Sequence, residues 1–520
     1  MTMPRFTIIL SLACLSILTG LSFAQSQAAA PATYDEPFRP QFHFSPPRNW
    51  HNDPNGLVFF DGEYHLFYQY NPFGDRWGHM SWGHAVSRDL VHWEHLPIAL
   101  REEDGLMIFS GSAVIDAKDT AGFRHGAQYP AMVAIYTANR VSDGRQMQCL
   151  AYSIDRGRTW TKYSGNPVID LGLRDFRDPK VFWHEPTHEW VMIVALSAQK
   201  KCRIYGSTDL KQWTALSDFG PAGQKNVPNW ECPDLFELPI DNEPGQTRWV
   251  LHSNIGGAAA AGGAGGQYFV GQFDGKVFTN DNPADKVLFT DYGEDFYATV
   301  SWNNASLPDG RHLWIGWMNG PQYANEVPTH PWRSQMSIPR AISLRRVGKD
   351  LRLIQEPITN LNALRGKEGT LPATALRADG QVEAPIAGQC LELNATLDVG
   401  QAGELGLIVR KGTNEQTVIG FDAKSGQLFV DRSHAGKSDF HRGFASRQNA
   451  PLEADNRRIK LHVFVDRCSV EVFANDGLVA ITDVIFPAAE STGVALYSKG
   501  GDAKVVSFEE WPMHSVWARN

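Results

Sequence analysis

The sequence predicts an all-β protein in which a β-propeller is followed by a β-sandwich. Three observations carry this. From about 40 to 345 short strands such as "AMVAIYTA", "KVFWHEPTHEWVMIVAL" and "HLWIGWM" alternate with turns, and no long helical period interrupts them. "SRDLVHW" (87–93), "SIDRGRTW" (153–160) and "STDLKQW" (207–213) repeat a Ser, an Asp two residues on, and a Trp four or five beyond that. Short strands repeating at this spacing point to propeller blades. From about 375 to 515 a second set of strands follows, among them "LGLIVRKG" and "RIKLHVFVDRCSVEVFANDGLVAITDV", enough for a sandwich.

Taken in order, residues 1–24 read as a signal peptide. Arg5 supplies the positive end, "FTIILSLACLSILTGL" the apolar run, and "SFA" ending at Ala24 the small residues for cleavage. The propeller is expected over 37–345. Its clearest piece is "GLVFFDGEYHLFYQY", where Asp61-Gly62 is a two-residue hairpin signal. The Asp of each repeated Ser-x-Asp unit is expected to accept backbone N–H groups in a turn, a structural part. Residues 346–370 read as a linker with one short helical candidate, and 371–517 as the sandwich. There Leu461, Val463 and Val465 alternate with His462 and Phe464, and Asp476-Gly477 marks another hairpin.

A chain of 520 residues is long enough for two cores. Its net charge of −9 excludes a phosphate-binding nucleic-acid surface. No stretch after the signal is apolar enough to span a membrane, so a soluble, exported (extracellular or periplasmic) protein is expected. Cys149, Cys202, Cys232, Cys390 and Cys468 are scattered and odd in number, which fits neither a disulfide framework nor a zinc site. "NIGGAAAAGGAGGQYF" (254–269) lacks G-x-G-x-x-G spacing and a following helix, and reads as a loop near a pocket, not a phosphate cradle.

Three acidic residues have unusual neighbours: Asp53 in "WHNDPNG", Asp178 in "RDFRDPK" and Glu231 in "NWECPDL". Inner-strand ends of a propeller converge on its axis, so three blades could bring these carboxyls together. Such a set can bind a cation or hydrolyse a glycoside. Calcium sites are dense in one loop, and no D-x-D-x-D-G occurs here. In glycoside hydrolysis one carboxylate attacks or activates water while another protonates the leaving oxygen. Sixteen Trp and 14 Tyr suit sugar faces.

"WHNDPNG", "FSGSA", "FRDPKVF", "WECPDLFEL", "EDFYA" and "WRSQMSIPR", in this order, resemble the motif set of glycoside hydrolase family 32, the invertases, inulinases and levanases. "DRCSVEVFANDG" is similar to that family's C-terminal sandwich. The resemblance implies a five-bladed propeller and a retaining β-fructofuranosidase that acts on fructan or sucrose with no metal or organic cofactor. It implies Asp53 as nucleophile, Glu231 as acid/base, and Asp178 as the carboxylate that holds fructose hydroxyls; on charge alone, neighbouring Arg177 could keep Asp178 ionised. Asn52 and Gln69 match fructose-binding amides; Trp77, Phe109, Ser110 and Trp317 match pocket walls; Tyr297 matches a phenol that orients the nucleophile or acid. Transfer to a sugar acceptor, a non-catalytic fructan binder, exo or endo attack and the oligomeric state stay open, as does whether the sandwich braces the propeller or binds fructan.

Overall fold

The computed structural model describes residue 1 and residues 33–517. The signal-peptide reading of 1–24 therefore falls outside the described residues, Met1 apart. Five sheets in chain order form the propeller. Blade I runs Asn49–Phe60, Glu63–Tyr70, Ser81–Ser87, Trp93–Leu100, and blade II begins at Leu106–Asp116. Blades III, IV and V begin at Phe176–His184, Trp230–Pro239 and Tyr297–Ser301. The first strands of neighbouring blades touch in a closed ring, so these five strands line the axis. Trp332–Arg333 adds in parallel to the start of blade I.

The repeated Ser-x-Asp units sit where the third strand of a blade turns into the fourth. In blade I Asp89 accepts from the backbone of Val91 and His92, in blade II Asp155 from Arg158 and Thr159, and in blade III Asp209 from Lys211 and Gln212. Each Ser hydroxyl bonds its Asp. An Asp carboxylate can satisfy two turn N–H groups at once, which is why the unit recurs. Blade IV keeps only Asp274, which accepts from Lys276 and Val277. Blade V turns at Gly348, with φ +59°.

The stretch expected as a linker, 346–370, carries structure of its own. Asp350–Pro357 pairs along its length with Arg340–Val347 and completes blade V. The polar surface of "RVGKDLRLIQE" hid an outer hairpin, whose alternating Leu351, Leu353 and Gln355 were the available signal. A 3-10 helix, Thr359–Leu364, then leads into the sandwich.

The sandwich stacks two antiparallel sheets. Alternate residues of facing strands, such as Leu405, Leu407 and Val409 against Leu461, Val463 and Val465, form its core. Its outer face is buried too. Phe464, Phe473, Ala480 and Met513 join a cluster with propeller residues including Phe44, Trp302 and Ile338. Phe444, Val484 and Phe486 pack with Met318, Tyr323 and Trp332.

Candidate active site

Each first strand is interrupted by a bulge where it reaches one end of the axis. Register shifts fall at His51/Pro54 in blade I, Ile108/Gly111 in blade II, opposite Ile193/Ala195 in blade III, Glu231/Asp234 in blade IV and Tyr297/Val300 in blade V. A bulge re-aims side chains out of the two-residue alternation. Asp53, Ser110, Asp178, Glu231 and Tyr297 sit at these five places. Pro54, Pro179 and Pro233 follow closely because an axial edge needs no N–H donor there. Asp178 and Cys232 hold positive φ, 65° and 42°. Gly111 is required as glycine, since a Cβ would lie 2.1 Å from the Ile135 carbonyl oxygen.

One pocket of about 350 Å³ gathers all eleven residues singled out in the sequence: Asn52, Asp53, Gln69, Trp77, Phe109, Ser110, Arg177, Asp178, Glu231, Tyr297 and Trp317. Trp50, Pro228, Asn229, Gly256, Pro321 and Asn325 also line it and were not foreseen. Trp50 lies within "WHNDPNG", Asn229 within "NWECPDL" with Pro228 beside it, and Gly256 within the glycine-rich run, but Pro321 and Asn325 come from a loop with no sequence signal. Trp77 is 49% exposed at the mouth, whereas Trp317 is buried. The glycine-rich run touches the pocket through Gly256, but only 256–264 is loop; its ends belong to the strands Thr247–Ile255 and Gly265–Phe273.

Asp53 is held from both sides. Asn52 Nδ2 donates to its Oδ1 at 2.8 Å and Ser110 Oγ to its Oδ2 at 2.5 Å. Burial raises its pKa, these two hydrogen bonds oppose the rise, and nearby Glu231 adds to it. The buried Cys232 thiol lies 3.7 Å from Asp53 Oδ2 and 3.6 Å from Asp178 Oδ2, with its pKa raised by burial and by the adjacent carboxylates. It is a neutral spacer between two acids.

Arg177 is placed differently from expectation. Its Nε and Nη2 donate to Glu231 Oε1 at 2.9 and 2.8 Å, and Nη1 to Asp175 at 3.0 Å. Asp178 instead accepts the Cys232 backbone N–H at 2.9 Å. Burial pushes the Asp178 pKa up to about 7; Arg177 opposes this, and Glu231 and Asp53 add to it. Arg177 is the chief influence opposing that rise, although its guanidinium bonds Glu231 and not Asp178. The other Glu231 oxygen accepts from the Tyr297 hydroxyl.

A stability effect follows from Asp178. Its folded pKa of about 7 stands above the ordinary 3.8. Between these values the folded chain keeps a proton that the unfolded chain releases, so stability falls as pH rises through this window. Asp178→Asn removes that titration. The variant should be more stable than wild type at pH 8, by on the order of 2–4 kcal/mol, and the gain should vanish near pH 4. Thermal melts at both pH values check this; equal gains at both would contradict it.

Residues 43–357 match the Glycosyl hydrolases family 32 N-terminal domain, and 360–512 match the Glycosyl hydrolases family 32 C terminal. The chain belongs to glycosyl hydrolase family 32. It is 50% identical over 507 residues to a levanase of Bacillus subtilis, which covers 96% of this chain and 74% of that protein. An extracellular exo-inulinase of Aspergillus awamori is 40% identical, over 96% of this chain and 98% of the other. The crystal structure of the exo-inulinase from Aspergillus awamori matches with a TM-score of 0.87 and 38% identity, covering 93% of this chain and 100% of that one. The family-32 fold and the independently observed five blades and sandwich coincide.

Proposed function

We propose that this chain is an exported, retaining, exo-acting fructan β-fructosidase that releases terminal fructose from levan or inulin and also cleaves sucrose. The observation that carries this is one pocket closed around Asp53, Asp178 and Glu231, in a chain akin over nearly its whole length to a levanase and exo-inulinases. Export rests on the composition of residues 1–24 and on relatives named extracellular.

In this reading an Asp53 oxygen attacks the anomeric carbon of the terminal fructosyl unit. The bond to the leaving oxygen breaks, and that oxygen takes a proton from Glu231. A fructosyl ester on Asp53 results. Water then attacks the same carbon, Glu231 takes the proton, and the ester bond breaks to free fructose with its configuration retained. Asp178 grips fructose hydroxyls from the pocket floor. Tyr297 and Arg177, one on each Glu231 oxygen, orient that carboxyl. Trp77, Phe109 and Trp317 wall the sugar; Asn52 and Gln69 offer amides to its hydroxyls.

Chromatography of products from levan, inulin and sucrose tests the substrate reading. Free fructose alone is the expected product of the polymers. A ladder of oligosaccharides would mean endo attack, and longer products from sucrose would mean transfer. Glu231→Gln tests the acid. Sucrose turnover should fall by about 10²–10⁴, while an activated aryl β-fructofuranoside, which needs little protonation, should form the ester nearly as fast. Azide should then speed ester breakdown, since it attacks without a base. Equal losses on both substrates with no azide effect would move the acid role elsewhere.

A further inference from the structure

A buried sandwich side chain is linked to the active site through propeller residues. Arg432 follows the sandwich strand Gln427–Asp431 and is 0% exposed. Its guanidinium lies 4.2 Å over the Phe444 ring. Nη1 donates to Asp295 Oδ2 at 2.6 Å, and Nη2 donates to Glu294 and, at 3.1 Å, to the Tyr323 hydroxyl. Tyr323 in turn donates to Asp295 Oδ1 at 2.5 Å. Asp295 thus has both oxygens filled, one by the sandwich and one by a propeller loop.

Two of the partners of Arg432, Asp295 and Tyr323, lead into the pocket. Asp295 stands two residues before Tyr297, whose hydroxyl bonds Glu231. Tyr323 stands between Pro321 and Asn325, which line the mouth, and Asn325 Oδ1 accepts the Trp77 backbone N–H at 3.0 Å. The sandwich strand Val479–Val484 runs beside the same segment: the Tyr292 and Asp295 N–H groups donate to Ala480 and Thr482 carbonyls at 2.9 and 3.1 Å. Gly293 has no room for a Cβ, which would sit 2.0 Å from the Thr482 oxygen. Glu294, Asp295 and Asp483 all pair with Arg432, so its loss removes the countercharge they share.

We propose that Arg432 is a positioning residue for the reaction: from the sandwich, through Asp295, it fixes Tyr297 against Glu231. This rests on Glu231 as the acid. A residue that only stabilises the fold would lower the folded fraction and leave the chemistry of the remainder unchanged. Arg432 instead acts on the proton-donating step, so its loss depends on the leaving group.

The test uses the full chain with Arg432→Gln, Tyr297→Phe and the double variant, on sucrose and on an activated aryl β-fructofuranoside. Arg410→Gln is the control, because Arg410 is equally buried but bonds only sandwich carbonyls, those of Asp466, Arg467, Ala488 and Ser491. Arg432→Gln and Tyr297→Phe should each lower kcat/KM on sucrose by about tenfold or more and on the aryl substrate by less than about threefold. The double variant should be no worse than the poorer single one, because both remove the same constraint. Arg410→Gln should lower Tm and leave the ratio between substrates unchanged. Should Arg432→Gln fail to fold, the near-isosteric Asp295→Asn carries the same cycle. Equal losses on both substrates, or losses that multiply in the double variant, would overturn the proposal. If Glu231→Gln itself shows no leaving-group dependence, the acid reading fails; if it does and Arg432→Gln does not, only the strut fails.

Discussion

Asp53→Asn should fold as well as wild type and lose on the order of 10³-fold or more in kcat. The amide is nearly isosteric with the carboxyl. The Ser110 hydroxyl can rotate to accept as readily as it donates, so the pocket tolerates the change. Burial already disfavours charge at this position, so folding does not need it. Turnover does, because an amide oxygen is too weak a nucleophile for the anomeric carbon. Quenched wild-type turnover should leave a fructosyl ester on the peptide containing Asp53, and the variant should show none. Retention of more than about a tenth of kcat, a loss below 1.4 kcal/mol, would exclude Asp53 as nucleophile.

Much of the fold was legible because its repeating parts solve local problems. A two-residue turn needs positive φ, and Asp61-Gly62 supplies φ of 50° and 80°. The third-to-fourth strand turn needs an acceptor for its free N–H groups, and Ser-x-Asp supplies it in three blades. Blades IV and V solve the same turn with Asp274 alone or with Gly348, so no repeat marks them. The outer hairpin of blade V read as a linker because Arg345, Arg346 and Lys349 crowd the tip where Arg340–Val347 turns into Asp350–Pro357, and charge there masks alternation.

The candidate site was legible to the extent that it is written in bulges. Motifs rich in Asp, Pro and Gly stand where a strand must break register, and each of the five breaks delivers a pocket residue. The partner of Arg177 was not legible. Its neighbour in sequence is Asp178, yet alternation and the bulge turn the two side chains apart, and the guanidinium crosses to Glu231 in the next blade. Pro321, Asn325 and Arg432 were hidden for a related reason: their places depend on contacts between distant segments, which leave no local pattern.

A chain truncated after Leu364 should be insoluble, or melt far below the full protein, and be nearly inactive on sucrose as well as on polymer. The sandwich covers an apolar propeller face through Phe464, Phe473 and Met513, and it seats Phe444 and Phe486 against Met318 and Trp332. It also supplies the countercharges of buried propeller residues. Arg340 Nη2 lies 2.6 Å from Glu471, and His43 bridges Asp466 and Glu471 at 2.8 and 2.9 Å. Those two carboxylates hold the His43 pKa up at about 9 against the burial that opposes it. Interfaces that join apolar clusters with buried, paired charges do not separate into independently stable parts. Without the sandwich, Glu294 and Asp295 lose Arg432, and the segment just before Tyr297 loses its backbone bonds to Ala480 and Thr482. Activity should therefore fall on the smallest substrate too. A sandwich that served only to bind fructan would give a different result: a stable propeller with unchanged sucrose kinetics and weaker binding of levan or inulin alone. Sedimentation, a thermal melt and sucrose kcat of the truncated chain separate the two. A soluble propeller with wild-type kcat on sucrose would show that the sandwich is an accessory to binding.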